Sequence, residues 1–121
     1  MAKSVCMVIR HAPYGVIQAA EAIRHINGAV ANGFATSAVF TDDGVYVLKT
    51  GQESEETPFT NLGDALRTAL NKPEPRAALY VHQSSAEKRG LTEVDLLPGV
   101  QWINDHELAS LLTESANVML F

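Results

Sequence analysis

Hydrophobic and polar positions follow two alternating rhythms along the chain. The first is the run Val5-Cys6-Met7-Val8-Ile9, within residues 3–10, apolar at consecutive positions and rich in β-branched side chains. A run of that kind suits a strand covered on both faces, as in a parallel sheet. Pro13 and Gly15 mark a turn, and from Tyr14 to Asn32 the spacing becomes helical. Val16, Ala19, Ala20, Ile23, Ile26 and Val30 form one stripe, with Gln18, Glu21, Arg24 and His25 off it. Asn32-Gly33 supplies a C-terminal stop. Phe34 to Thr41 reads as a second strand centred on Ala38, Val39 and Phe40.

Asp42-Asp43-Gly44 is a turn signal. Val45 to Leu48 then has strand propensity, which predicts a hairpin over 39–48, while Asp42 or Asp43 could instead cap a short helix. Residues 50–58 are polar and acidic and predict a solvated loop. Thr60 or Asn61 opens a helix with Leu62, Ala65, Leu66, Ala69 and Leu70 inward, ended by Pro73 and Pro75. Ala77 to Val81 predicts a third buried strand, and Ser84 to Gly90 a helical turn capped by Ser84 or Ser85. A short turn over Thr92 to Leu97 and a short strand over Val100 to Ile103 follow. Asn104 with Glu107 three residues on is a capping-box opening, and the helix it starts carries Leu108, Leu111 and Leu112 on one side. Ala116 to Phe121 closes the chain as a strand. Strands alternating with helices predict a three-layer α/β/α sandwich around a mainly parallel five-stranded sheet, one domain over residues 1–121.

Composition narrows the function classes. With 121 residues, 46% hydrophobic and 19% charged, the chain has globular rather than disordered composition. Its formal net charge is −5, and the acid is concentrated late: residues 53–121 hold eleven Asp/Glu against five Lys/Arg. Such a surface lacks the cationic field that a sequence-independent grip on nucleic acid needs. A lone cysteine, Cys6, excludes an intrachain disulfide framework and a multi-cysteine zinc site. Apolar runs all fall short of the ~18 residues of a membrane span, and the run ending at Ile9 is too short for a secretory core. The expectation is a cytoplasmic protein without membrane contact.

In an open parallel sheet ligands bind beyond the carboxyl ends of the strands, so the informative loops are 10–15, 41–45, 82–86 and 103–105. The first, Arg10-His11-Ala12-Pro13-Tyr14-Gly15, leads into a helix whose free N–H groups, with Arg10 and His11, would suit a small anion. His82 ends strand three at the same edge. With Asp43, Tyr46 and Ser85 on the neighbouring segments, these residues form the candidate pocket or interface. His25 stands four residues after Glu21, which predicts a surface pair, and His106 falls in the exposed first turn of the last helix. No histidine has a metal-ligand spacing to another His or Cys. Asp42-Asp43 reads as turn chemistry, and Cys6, mid-strand, as a small buried hydrophobe. Neither a Ser/His/Asp chain order nor a Gly-x-Ser-x-Gly elbow, dinucleotide fingerprint or P-loop occurs. No independent catalysis and no cofactor are expected. Tyr14, Tyr46 and Phe59, in or beside loops, predict an oligomer interface.

Three segments together resemble one family. They are Ala12-Pro13-Tyr14-Gly15 before a helix with Glu21-Ala22, then Asp42-Asp43-Gly44-Val45-Tyr46 before Gly51-Gln52, and Ser85 with Arg89-Gly90-Leu91 after the Tyr80-Val81 strand end. Their order and spacing, out to the terminal Asn117-Val118-Met119-Leu120-Phe121, resemble the DsrE/DsrF/TusC sulfur-relay family, nearest the DsrF/TusC subunit type. The resemblance implies a short helix, not a hairpin, after Asp42. It implies assembly with DsrE/TusD-like and DsrH/TusB-like subunits into a hexamer of two heterotrimers. Such assemblies pass persulfide sulfur between proteins for tRNA 2-thiouridine synthesis or intracellular sulfur oxidation. In DsrE/TusD-type subunits of the family the sulfur-carrying cysteine lies at the end of strand three, eight residues before the glycine matching Gly90, and this chain has His82 there. The resemblance therefore implies a structural or docking subunit. The alternative is a free-standing homo-oligomer that binds a small anionic ligand at the sheet's carboxyl edge.

Overall fold

The computed structural model describes residues 4–14, 16–50, 66 and 77–121. Five strands form one sheet: β1 (Ser4–Ile9), β2 (Ala35–Phe40), β3 (Ala78–His82), β4 (Gln101–Ile103) and β5 (Asn117–Leu120), in the order β4-β3-β2-β1-β5. Every strand pair is parallel, with registers such as Cys6 to Ser37 and Cys6 to Val118. An isolated antiparallel bridge joins Lys49 to Leu96 outside the strands. The consecutive apolar positions of β1 suit an interior strand, between β2 and β5, with both its faces covered. Cys6, Met7 and Ile9 are all buried.

The two faces have different clothing. Met7, Ile9, Ala38, Phe40, Leu79 and Val81 point to the larger core, beneath helix α1 (Gln18–Ala31) and a 3-10 segment over Asp42–Leu48. Burial of side chains such as Phe40 and Ile26 contributes roughly 1.5–3 kcal/mol each. The opposite face holds a smaller cluster of Cys6, Val8, Val39 and Ile103. Its cover is helix α3 (Asp105–Glu114), whose Leu108, Leu111 and Leu112 pack there half-buried. Helices on both faces of one parallel sheet make the expected three layers.

Helix α1 starts later than the expected Tyr14, and Val16 lies outside it, exposed. The chain bends at Pro13, Tyr14 and Val16 before the helix begins, and the core stripe is Ala19, Ala22, Ile23, Ile26 and Val30. The stop is as the sequence predicts: Gly33 has φ +81°, and the Phe34 N–H reaches back to Ala29 O at 3.0 Å. The Asn104–Glu107 capping box of α3 also forms in both directions, at 2.8 and 3.1 Å. A second box, Thr92 with Asp95, opens the 3-10 turn Glu93–Asp95. Its hydrogen bonds from Thr92 hold the Asp95 carboxyl below the usual carboxylate range.

Two local expectations need correction. The hairpin over 39–48 does not form: Asp42–Leu48 is 3-10 helix, as the resemblance implied. Val45, Val47 and Leu48 are fully buried there, so their β propensity yields to burial against the sheet. Ser84 and Ser85 do not cap helix α2 (Gln83–Lys88), because His82 occupies the N-cap position and no side chain caps the first turn. The acidic loop over 50–58 and the helix from Thr60 or Asn61 lie outside the described residues, apart from Thr50 and from Leu66, which is helical and fully buried.

Candidate functional site

The carboxyl ends of β1, β2 and β3 lead into loop 10–14, the 3-10 segment and α2. Gly44 sets how closely the second of these approaches the sheet. A Cβ there would stand 2.0 Å from the Ile9 carbonyl oxygen, a contact no side chain can occupy. Only glycine lets the 3-10 segment seat on the end of β1. The same carbonyl accepts the Thr41 N–H at 3.0 Å.

Asp42 begins that segment with φ +50°, in the left-handed region that aspartate tolerates at a cost of about 1–2 kcal/mol. Helix α2 holds the strained turn with two ties. The Asp42 N–H donates to Ser85 Oγ at 2.9 Å, and Arg89 Nε donates to Asp43 Oδ1 at 3.0 Å. Arg89 also reaches the Ser85 carbonyl at 3.1 Å.

Ser85 is 5% exposed, and its hydroxyl continues the chain of hydrogen bonds. His82 Nδ1 lies 2.7 Å from Ser85 Oγ, and His82 Nε2 lies 2.5 Å from Asp105 Oδ1. A carboxylate only accepts, so the Nε2 proton points to Asp105. In the neutral ring Nδ1 then accepts the Ser85 hydroxyl proton. The sequence runs Asp42 N–H to Ser85 O–H to His82, then His82 N–H to Asp105. It links the ends of β2 and β3 to the first turn of α3. Breaking it at the buried Ser85 hydroxyl would leave an unsatisfied group worth roughly 1–3 kcal/mol, while the Asp105 end is exposed and re-solvates.

This is a His, Ser and Asp constellation that the chain order concealed. Its Ser85 oxygen is buried and already accepts a backbone N–H, so it works as a brace. Of the seven candidate residues, His82 and Ser85 bond directly, and Arg89 brings Asp43 to the same cluster. Tyr46 does not stand free at a loop edge: it is half-buried against the main core. Arg10 is exposed at the end of β1, where its N–H donates to the Phe121 carbonyl at 2.8 Å. His11 is half-buried with an unpartnered Nδ1, and Tyr14 is exposed. Phe59 lies outside the described residues. Asp105 was missed, and Arg89, part of the family resemblance, was left out of the candidate pocket. Asp105 is the first residue of α3, at the end of the 103–105 segment flagged by its position at the carboxyl edge, and nothing in its own spacing singled it out.

His25 corrects a further expectation. Its Nδ1 meets the Glu21 carbonyl at 2.7 Å, while Arg24 takes the Glu21 carboxylate at 2.9 Å. His25 also faces the Phe121 ring at 5.2 Å between centroids. Among the described residues no cluster of three or more His, Cys, Asp or Glu could hold a metal, and no helix is long and apolar enough to cross a membrane.

Cys6 is fully buried on the α3 side of the sheet. Burial pushes its thiol pKa up, and a hydrogen bond with Ser115 offsets this in part. Both its inaccessibility and its scarce thiolate oppose reaction. Iodoacetamide in native buffer at neutral pH is expected to leave Cys6 unmodified over a period that alkylates it fully in denaturant. Equal rates in the two conditions, read by intact mass, would contradict the packing described.

An open parallel sheet with helices on both faces and a cluster at its carboxyl edge defines the class of α/β three-layer proteins that place their sites at strand ends. Residues 3–121 match the DsrE/DsrF-like family, and the chain belongs to it. It is 40% identical over 88 residues to the intracellular sulfur oxidation protein DsrF of Allochromatium vinosum, covering 73% of this chain and 63% of that one. It is 31% identical over 120 residues to a TusC homolog of Vibrio vulnificus, covering 94% and 95%. The crystal structure of the ychN protein from E. coli shares the fold, with TM-score 0.83 at 21% identity over 98% of this chain and 99% of that one.

Proposed function

We propose that this chain is a docking subunit of a cytoplasmic persulfide relay and does not itself carry the sulfur. Membership of the DsrE/DsrF-like family and likeness to DsrF and TusC proteins support the relay. The observation that carries the non-carrier role is His82. It stands at the end of β3, where the resemblance puts the carrier cysteine of DsrE/TusD-type subunits, and both its ring nitrogens are engaged in the brace. An imidazole so held orders the strand end and has no sulfur chemistry. Cys6 is buried mid-strand, away from that edge.

The partners in this reading are DsrE/TusD-like and DsrH/TusB-like subunits, arranged as two heterotrimers. The assembly serves tRNA thiolation or sulfur oxidation according to those partners. Affinity purification of the tagged chain from its native cell tests the reading. The expected result is co-purification of two other short α/β chains in equal amounts, one with cysteine at its strand-three end. Recovery of this chain alone, at native expression level, would count against it.

A further inference from the structure

The outward pole of α1 has a composition that the chain's own packing does not explain. Ile17, Glu21, Arg24 and Gly28 lie within about 40° of one line on a helix of 3.6 residues per turn, opposite the buried Ile26. Ile17 belongs to that line because it has helical dihedrals and accepts the Glu21 N–H at 3.0 Å. It is 66% exposed. Gly28 costs the helix about 1 kcal/mol relative to alanine, yet a Cβ there would meet nothing within 4 Å. Neither an exposed isoleucine nor a mid-helix glycine serves the isolated fold.

The stripe is its own complement when reversed. Glu21 stands four positions inside Ile17, and Arg24 four positions inside Gly28. An antiparallel copy of the helix, centred between Glu21 and Arg24, sets Ile17 on Gly28 at both ends. It also sets Glu21 against Arg24 twice, extending the ion pair already present within each helix. Gly28 further borders a groove of about 540 Å³ whose lining includes Val5, Met7 and Met119. The small residue lets an isoleucine from outside lie close to the helix backbone at that lip.

We infer that the outer face of α1 is a two-fold docking surface for α1 of a second copy of this chain, with Ile17 of each copy seated on Gly28 of the other. A two-fold contact must be self-complementary, and this stripe is so in both shape and charge. The inference is independent of the sulfur-relay reading.

Two measurements on the purified full chain test it. In a Cys6→Ser background, the double variant Ile17→Cys/Gly28→Cys is expected to form disulfide-linked dimers under mild oxidation. Neither single variant can do so, because like positions in the pair are about 16 Å apart at 1.5 Å rise per residue, beyond the ~7 Å limit between bridged Cα atoms. Cross-linking of the singles as efficient as that of the double overturns the register. Separately, sedimentation should show Arg24→Glu weakening self-association about tenfold or more, with Glu21→Arg/Arg24→Glu restoring it. A monomeric wild type, or a charge swap that restores nothing, overturns the proposal.

Discussion

Gly44→Ala is expected to destabilise this protein by about 3 kcal/mol or more, at the upper end of overpacking effects. The added methyl would stand 2.0 Å from the Ile9 oxygen and 2.7 Å from the Ile9 carbonyl carbon, both backbone atoms. No rotamer change can relieve a clash with backbone, so either the end of β1 or the 3-10 segment must move. β1 is held between β2 and β5. The segment is held by Ser85 and Arg89 and by its buried Val45, Val47 and Leu48. In urea titration the unfolding midpoint should drop sharply. Gly33→Ala supplies the contrast. That glycine has φ +81° but open space around the missing Cβ, so only the conformational cost of about 1–2 kcal/mol applies. Equal losses in the two variants would show that the close approach at Gly44 is not what holds the segment in place.

Gly44 also shows which information the sequence withheld. The triplet Asp42-Asp43-Gly44 announces a turn, but the reason for the glycine is a carbonyl more than thirty residues earlier in the chain. Local propensity then read Val45 to Leu48 as strand, since β-branched residues look alike whether they line a sheet or pack against one. The strands themselves were legible because a parallel sheet buried on both faces leaves continuous apolar runs. The caps at Asn104 and Asn32-Gly33 were legible because their chemistry is complete within a few residues. Helix α1 was legible in its periodicity but not in its first turn, where Val16 satisfies the stripe arithmetically and lies outside the helix.

The site follows the same division. The carboxyl edge could be located from topology alone, and His82 stood out because it ends a strand there. Its partners could not be found that way. Ser85 is three residues on and reads locally as a cap, whereas Asp105 comes from another element and meets His82 only through the fold. Tyr46 illustrates the opposite error. Its place beside a turn suggested exposure, and the 3-10 geometry rotated it against the core.

Incubation with a persulfidated donor protein is expected to leave the wild-type chain at its original mass. Transfer requires an acceptor thiolate to attack the terminal sulfur of the donor's Cys–S–SH, forming a new S–S bond as the donor departs as a thiolate. The chain's one cysteine, Cys6, is fully buried with its pKa raised, so it offers neither the approach nor the charge. His82→Cys moves a thiol to the carboxyl end of β3. The native side chain there is 16% exposed and lies beside an 86% exposed Asp105, so the edge is open on that side. This variant is expected to gain one sulfur, a step of about 32 Da from a persulfide cap on the thiol, removable by a reductant. Losing the imidazole also unlinks Ser85 from Asp105, so a companion His82→Ala chain separates the effect of the lost brace from that of the new thiol: it should fold less stably and gain nothing. Sulfur on the wild type that disappears in Cys6→Ser would make Cys6 a carrier and overturn the docking-subunit reading. Sulfur confined to His82→Cys would show that the strand-three edge admits a donor and that the native histidine is what keeps this chain out of the relay chemistry.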